Sequence, residues 1–160
     1  MAVLDRSPMS SRPQSKDICG WREIVSLPGL GVLHLRAKVD TGARTSSLHA
    51  TGIELFERGG EEWARFTIDA LEDHHQVVEA PRVAHRMITS SNGEKQERLI
   101  IKTELAMGNH RFRAEFSLAD RSDMKFPMLI GRTSLRKRFL VDSAKSFLLP
   151  DPLRTQDPTS

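Results

Sequence analysis

The chain has 160 residues, of which 28% are charged and 38% hydrophobic, with a formal net charge of +3 and one cysteine. That length suffices for one domain with its own core, and the modest positive excess permits an acidic partner without requiring one. No apolar run approaches the roughly 18 residues of a membrane-spanning helix, and the lone Cys19 excludes an internal disulfide, as suits a reducing, cytoplasmic compartment.

Residues 1–19 are polar and rich in Pro and Ser, lack the apolar stretch of a signal peptide and read as a flexible tail. From Gly20 the pattern becomes one of short strands. Trp21, Ile24, Val25 and Leu27 form a first run, stopped by Pro28-Gly29. Val32 to Val39 alternates as a second strand. Thr45 to Phe56 reads as a third, with Leu48, Ile53, Leu55 and Phe56 facing the core, and Arg58-Gly59-Gly60-Glu61 turns it into Trp63 to Ile68. Asp69 to His75 is a polar loop, and the segments flanking Pro81 read as edge strands.

The turn Ser90-Ser91-Asn92-Gly93 is the candidate for a loop that covers a substrate. Leu99 to Met107 and Phe112 to Leu118 are two further strands joined at Gly108-Asn109. Phe112, Ala114, Phe116 and Leu118 share one face of the second, with Arg111, Arg113 and Glu115 on the other. Pro127 to Gly131 is a short apolar strand buried on both faces. Arg132 to Phe139 is a helix of about two turns, and Leu140-Val141 and Phe147 to Leu149 complete the sheet before a second flexible tail at residues 150–160. Met87, Met107, Met124 and Met128 read as core filler. The expected fold is all-β, a small closed barrel at residues 20–149 with one short C-terminal helix.

Lys38 to Ser47 is the stretch with chemical content. An alternating apolar strand delivers Asp40 to the mouth of a tight Thr41-Gly42-Ala43 turn, where backbone N–H groups are open and another chain can approach closely. Val39-Asp40-Thr41-Gly42-Ala43 resembles the active-site loop of retropepsin-like aspartic proteases. Pro127 to Arg132 resembles the apolar strand and Gly-Arg turn that precede their C-terminal helix. The wider string, Gly20 to Glu23, Lys38 to Ser46, Asp120-Arg121, Leu129 to Leu135 and Phe139 to Asp142, is similar to a bacterial family labelled ATP-dependent zinc protease. One branch of that family is associated with a glutamate ligase of the ATP-grasp type and is implied to trim the oligoglutamate tails added to a ribosomal protein. Neither ATP nor zinc finds its motif here: no G-x-x-x-x-G-K-[ST], no H-E-x-x-H and no paired cysteines occur, and the adjacent His74 and His75 would point to opposite sides if they lay on a strand. No metal or cofactor is expected.

Aspartic proteases share one proton between two close carboxyl groups, because both cannot ionise at that separation. A chain with one Asp-Thr-Gly must take its second carboxyl group from a second copy, so the reading requires a homodimer. By the resemblance, Asp40 is catalytic, Thr41 locks the two loops across the axis, and Gly42 leaves room for the substrate backbone beside Ala43. A guanidinium at Arg44 either favours the ionised form of the pair or binds a substrate carboxylate in bidentate fashion. Arg121 and Arg132, with Arg136, extend the positive surface, which suits a glutamate-rich tail on a glutamylated ribosomal protein. Arg44 and Arg132 can equally be structural, paired with Asp120 or Asp123. The competing reading is a non-catalytic basic barrel that binds acidic peptides or ribosomal RNA.

Overall fold

Alternation of apolar and polar residues in the longest strands dictates which way each sheet faces, and in the computed structural model those faces close on one core. The structure describes residues 16–69, 75–81, 83–89, 93–120 and 125–151. In chain order the strands are β1 (Asp17–Gly20), β2 (Arg22–Leu27), β3 (Val32–Val39), β4 (Ser46–His49), β5 (Thr51–Arg58), β6 (Glu61–Asp69), β7 (His75–Pro81), β8 (Ala84–Thr89), β9 (Lys95–Met107), β10 (His110–Ala119), β11 (Met128–Ile130) and β12 (Phe139–Asp142), with α1 (Arg132–Leu135) between the last two.

Six of these strands pair in the order β10-β4-β11-β3-β2-β9, and the antiparallel pairing of β9 with β10 closes the ring into a barrel. β8 extends the sheet beyond β9. β5, β6 and β7 form a separate antiparallel sheet, and β1 pairs with β12 in a parallel ribbon. The barrel is filled by Val25, Leu35, Leu48, Ile101, Leu105, Phe116, Met128 and Ile130, all buried. No helix among the described residues is long and apolar enough to cross a membrane.

Several sequence expectations are corrected. The run from Thr45 to Phe56 is two strands: Ala50 breaks it, its N–H held by the Ala119 carbonyl, so β4 stays in the barrel while β5 enters the second sheet. Ile53 and Leu55 are consequently exposed, because the β5 edge of that sheet overhangs the core. Met87 is exposed as well, on edge strand β8, whereas Met107 and Met128 are buried; Met124 lies outside the described residues. The helix is a single turn, since Arg136 leaves helical geometry and Lys137 takes a φ of +73° to reverse the chain into β12. Residues 147–149 form no strand, and β1 takes in Asp17, Ile18 and Cys19 from the expected tail. The Gly59-Gly60 hairpin is present, both glycines at positive φ as the turn requires. Ser90 to Asn92, the proposed covering turn, lie outside the described residues.

One buried charge fastens the C-terminal segment. Glu23 points into the protein from β2, 1% exposed, and its carboxylate accepts N–H bonds from Gly20 at 2.7 Å, Leu148 at 2.9 Å and Leu149 at 3.2 Å. Such a group is stable in the interior because backbone donors replace its water. The neighbouring Cys19 thiol is pushed up to about 11, first by burial and then by the Glu23 carboxylate, and so stays protonated. Glu23→Ala removes the acceptor of three N–H groups; urea unfolding is expected to show a loss of about 3 kcal/mol, with Glu23→Gln losing less because its amide oxygen still accepts.

Candidate active site

β3 delivers Asp40 to the end of the barrel by parallel pairing with β11, in which Val39 stands opposite Ile130. The pairing runs one step further, the Asp40 N–H donating to the Ile130 carbonyl at 2.9 Å. The chain then turns: the Ala43 N–H reaches back to the Asp40 carbonyl at 3.2 Å, and the Gly42 N–H donates to Asp40 Oδ1 at 2.9 Å. An aspartate bonded to the backbone two residues on is a common turn device, and here it also fixes the carboxyl group. Asp40 is half-buried and forms no ion pair with any described residue. Thr41 and Gly42 are exposed.

The turn is stitched to the start of α1. A short helix leaves its first N–H groups without partners, and α1 has no side-chain cap. The loop's carbonyls serve instead: Arg132 N–H donates to Ala43 O at 2.8 Å and Thr133 N–H to Arg44 O at 3.1 Å. Gly131 makes this approach possible. A Cβ there would lie 2.8 Å from the Thr45 carbonyl carbon and 2.9 Å from the carbonyl oxygens of Ala43 and Arg44. Beneath it the Gly131 N–H donates to buried Ser46 Oγ at 3.0 Å, and that hydroxyl lies 3.4 Å from Ser134 Oγ. Arg132 Nη1 adds a bond to the Thr41 carbonyl at 3.1 Å.

A cleft of about 650 Å³ opens beside this loop, lined by Thr41, Arg44, Arg132 and Arg136 and by the apolar side chains of Leu135, Phe139, Leu140 and Val141. Neither Arg44 nor Arg132 pairs with a carboxylate among the described residues, whereas Arg58 and Arg65 are matched by Glu79, and Arg86 by Glu115. Thr41, Arg44 and Arg132 are thus brought together, with Gly42 and Ala43 in the same turn. Arg121 and Asp123 lie outside the described residues. Asp120 faces His49 at 3.9 Å, and His49 also faces Asp69 at 3.4 Å. Another hollow, of about 570 Å³ and including Lys102, Arg113 and Glu115 in its lining, contains no residue of the Asp40 loop. Among the described residues no group of three or more His, Cys, Asp or Glu is arranged to hold a metal ion.

Sequence reasoning named the loop but gave no role to Ser46, Gly131 or Ser134. The signal was present in the Gly that closes a buried strand and in paired small hydroxyl residues on either side of it.

A family model of the retropepsin-like aspartic endopeptidase RimB matches residues 18–152. The chain belongs to the RimB-like family. Its match to a retropepsin-like endopeptidase family agrees with the all-β barrel and with a hydrolase. The chain is also 38% identical over 138 residues to a protein named "Probable alpha-L-glutamate ligase" from Shewanella halifaxensis, covering 84% of this chain and 30% of that protein. Over 155 residues it is 36% identical to a protein of the same name from Parasynechococcus marenigrum, covering 88% of this chain and 33% of the relative. The chain therefore spans about a third of the length of these curated relatives. A crystal structure of a protein of unknown function (DUF785) from Legionella pneumophila superposes with a TM-score of 0.73 at 28% identity, over 84% of this chain and 98% of that one.

The stitch predicts a sharp response at Gly131. Gly131→Ala forces backbone apart and is expected to cost about 2 kcal/mol in denaturant unfolding, while Ser134→Ala, which removes one long hydroxyl contact, costs about 1 kcal/mol or less. Equal, negligible effects of both would contradict the close packing described.

Proposed function

We propose that the protein is an aspartic peptidase that acts as a homodimer through Asp40 of both copies, on acidic, glutamate-rich peptide tails. The observation that carries the reading is the placement of an aspartate with no ion pair among the described residues, in a rigid turn at the barrel end, beside a cleft lined by three guanidinium groups. In the reaction one carboxylate takes a proton from water as its oxygen adds to the scissile carbonyl carbon. The protonated partner gives its proton to the carbonyl oxygen. The tetrahedral species then collapses: the C–N bond breaks, the amine leaves with a proton, and the carboxyl pair returns to sharing one.

Each copy supplies one carboxyl group, so the exposed Thr41 and Gly42 must meet their twins across a two-fold axis. Exposed Ile18 and Leu140, which face each other in the β1–β12 ribbon, supply apolar surface on the ribbon whose β12 lines the cleft. The guanidinium groups of Arg44, Arg132 and Arg136 favour a substrate with several carboxylates, each able to take two parallel N–H bonds. The relatives named as glutamate ligases support the same substrate class: a segment similar to this chain is part of proteins whose name assigns them to glutamate addition. A glutamylated ribosomal protein, a functional link to such a ligase of the ATP-grasp type and a cytoplasmic location belong to this proposal.

Mass spectrometry of an oligoglutamate-tailed peptide incubated with the protein tests it. Shortening of the tail is expected with the native chain and a loss of at least about 10³-fold with Asp40→Asn. Equal turnover by both would remove Asp40 from the chemistry. Binding of the peptide with no cleavage by the native chain would favour a binding barrel.

A further inference from the structure

The outer surface of β2 and β3 carries a feature that the Asp40 cleft does not use. Arg22 stands opposite Lys38 across the two strands, and Ile24 opposite Arg36. Residues opposite each other, and those two apart along a strand, share a face. Arg22, Arg36 and Lys38 therefore stand on the side away from buried Glu23, Val25, Leu35 and Ala37. Among the described residues none of these three cations pairs with a carboxylate, in contrast to Arg58, Arg65 and Arg86.

Aromatic rings hold the two guanidinium groups in place. Arg22 lies 4.6 Å from the centre of the Trp21 ring and 5.0 Å from that of Phe147, and its Nε donates to Ser146 Oγ at 3.1 Å. Arg36 lies 5.9 Å from both Phe126 and Phe147. Trp21 and Phe126 meet edge to face at 5.9 Å. Phe147 is 41% exposed and adopts a φ of +54°, an uncommon conformation for a bulky residue. It is kept there by its N–H bond to the Arg22 carbonyl at 3.0 Å and by the Glu23 carboxylate, which grips the next two residues. A strained, exposed ring anchored by a buried charge and shared by two arginines is a preformed surface.

We propose that this face is a second binding site for acidic peptide, in which Arg22, Arg36 and Lys38 take carboxylates of a glutamate-rich chain outside the Asp40 cleft. The inference rests on the substrate class given above and deepens it. Lys38 lies two residues before Asp40 on β3, roughly 7 Å along the strand, and the Val39 N–H donates to the Trp21 carbonyl at 2.8 Å, so the face adjoins the catalytic loop. The choice of carboxylates over nucleic acid follows from the rings. Base stacking needs free ring faces, and here guanidinium groups lie over those of Trp21, Phe126 and Phe147. What the surface offers is the edge of each guanidinium, where its N–H groups bind carboxylates in pairs. A long acidic tail held at both places dissociates more slowly than one held at the cleft alone.

The experiment is fluorescence anisotropy of a labelled oligoglutamate peptide on the full chain carrying Asp40→Asn, which reads binding separately from cleavage. Adding Arg22→Gln and Arg36→Gln to that chain is expected to weaken binding about fivefold or more at low salt. Lys38→Gln, at an exposed side chain that leaves the packing intact, is expected to weaken it about twofold, and Arg86→Gln, at a cation already matched by Glu115, to leave it unchanged. Unchanged affinity in both the double variant and Lys38→Gln would overturn the proposal while leaving the Asp40 chemistry standing. Tighter binding of a single-stranded oligouridylate than of the peptide, lost with the same substitutions, would also overturn it. Cleavage by Asp40→Asn would overturn the peptidase mechanism without touching this site.

Discussion

The shape of the Asp40 turn depends on backbone held against backbone at Gly131. The lone Cys19 allows no internal disulfide, and among the described residues no buried ion pair keeps the shape of the Asp40 turn. Its rigidity comes from two carbonyl groups, of Ala43 and Arg44, that cap α1, and from a glycine that lets the two segments come within bonding distance. The mutual need is physical: the helix start lacks acceptors for its first N–H groups, and the turn has carbonyls without strand partners. Each satisfies the other, and the side chain of Asp40 forms no ion pair with the described residues. A carboxyl group proposed for hydrolysis needs a fixed position, and the turn supplies one.

The rest of the fold serves that junction. The parallel pairing of β3 with β11 sets the two segments side by side, and β4, antiparallel to β11, carries Ser46 beneath them. Glu23 does comparable work on the opposite side of β2. By gripping residues 148 and 149 it closes the C-terminal segment over the barrel and presents Phe147 to the arginines. Two long-range polar clasps therefore frame the β2–β3 pair, one at the Asp40 turn and one behind a charged outer face.

Much of this was legible in residue order, and what was not has a common cause. β3 matched its expected bounds of Val32 to Val39, and the alternation in β10 assigned its faces, because one side of that strand is buried and the pattern has a period of two. The Asp-Thr-Gly turn and the Gly-Arg turn were both visible, and the structure stitches one to the other. The break at Ala50 was invisible, since Ser46–His49 and Thr51–Arg58 are equally suited to strands and only a carbonyl on β10 separates them. Arg136-Lys137-Arg138 suits a helix locally, yet the chain must reverse there for Phe139–Asp142 to pair with β1. Glu23 carried no structural role in the sequence reading; its partners lie 125 and 126 positions away, beyond the reach of any local pattern.

Arg132 beside Asp40 and Arg22 and Arg36 on the β2–β3 face have the same character, cations held by a backbone carbonyl or by rings and paired with no carboxylate among the described residues. Both favour a ligand that brings the negative charge with it. The proposed hydrolysis, however, depends on the pairing of two chains. Titrating a fixed amount of native protein with a growing excess of Asp40→Asn chains, and following cleavage of an oligoglutamate-tailed peptide, tests that pairing directly. If the site is shared, native subunits become trapped in mixed dimers with one carboxyl group and cleavage falls toward zero; cleavage that stays constant across the titration would mean that a single copy suffices and would contradict the account.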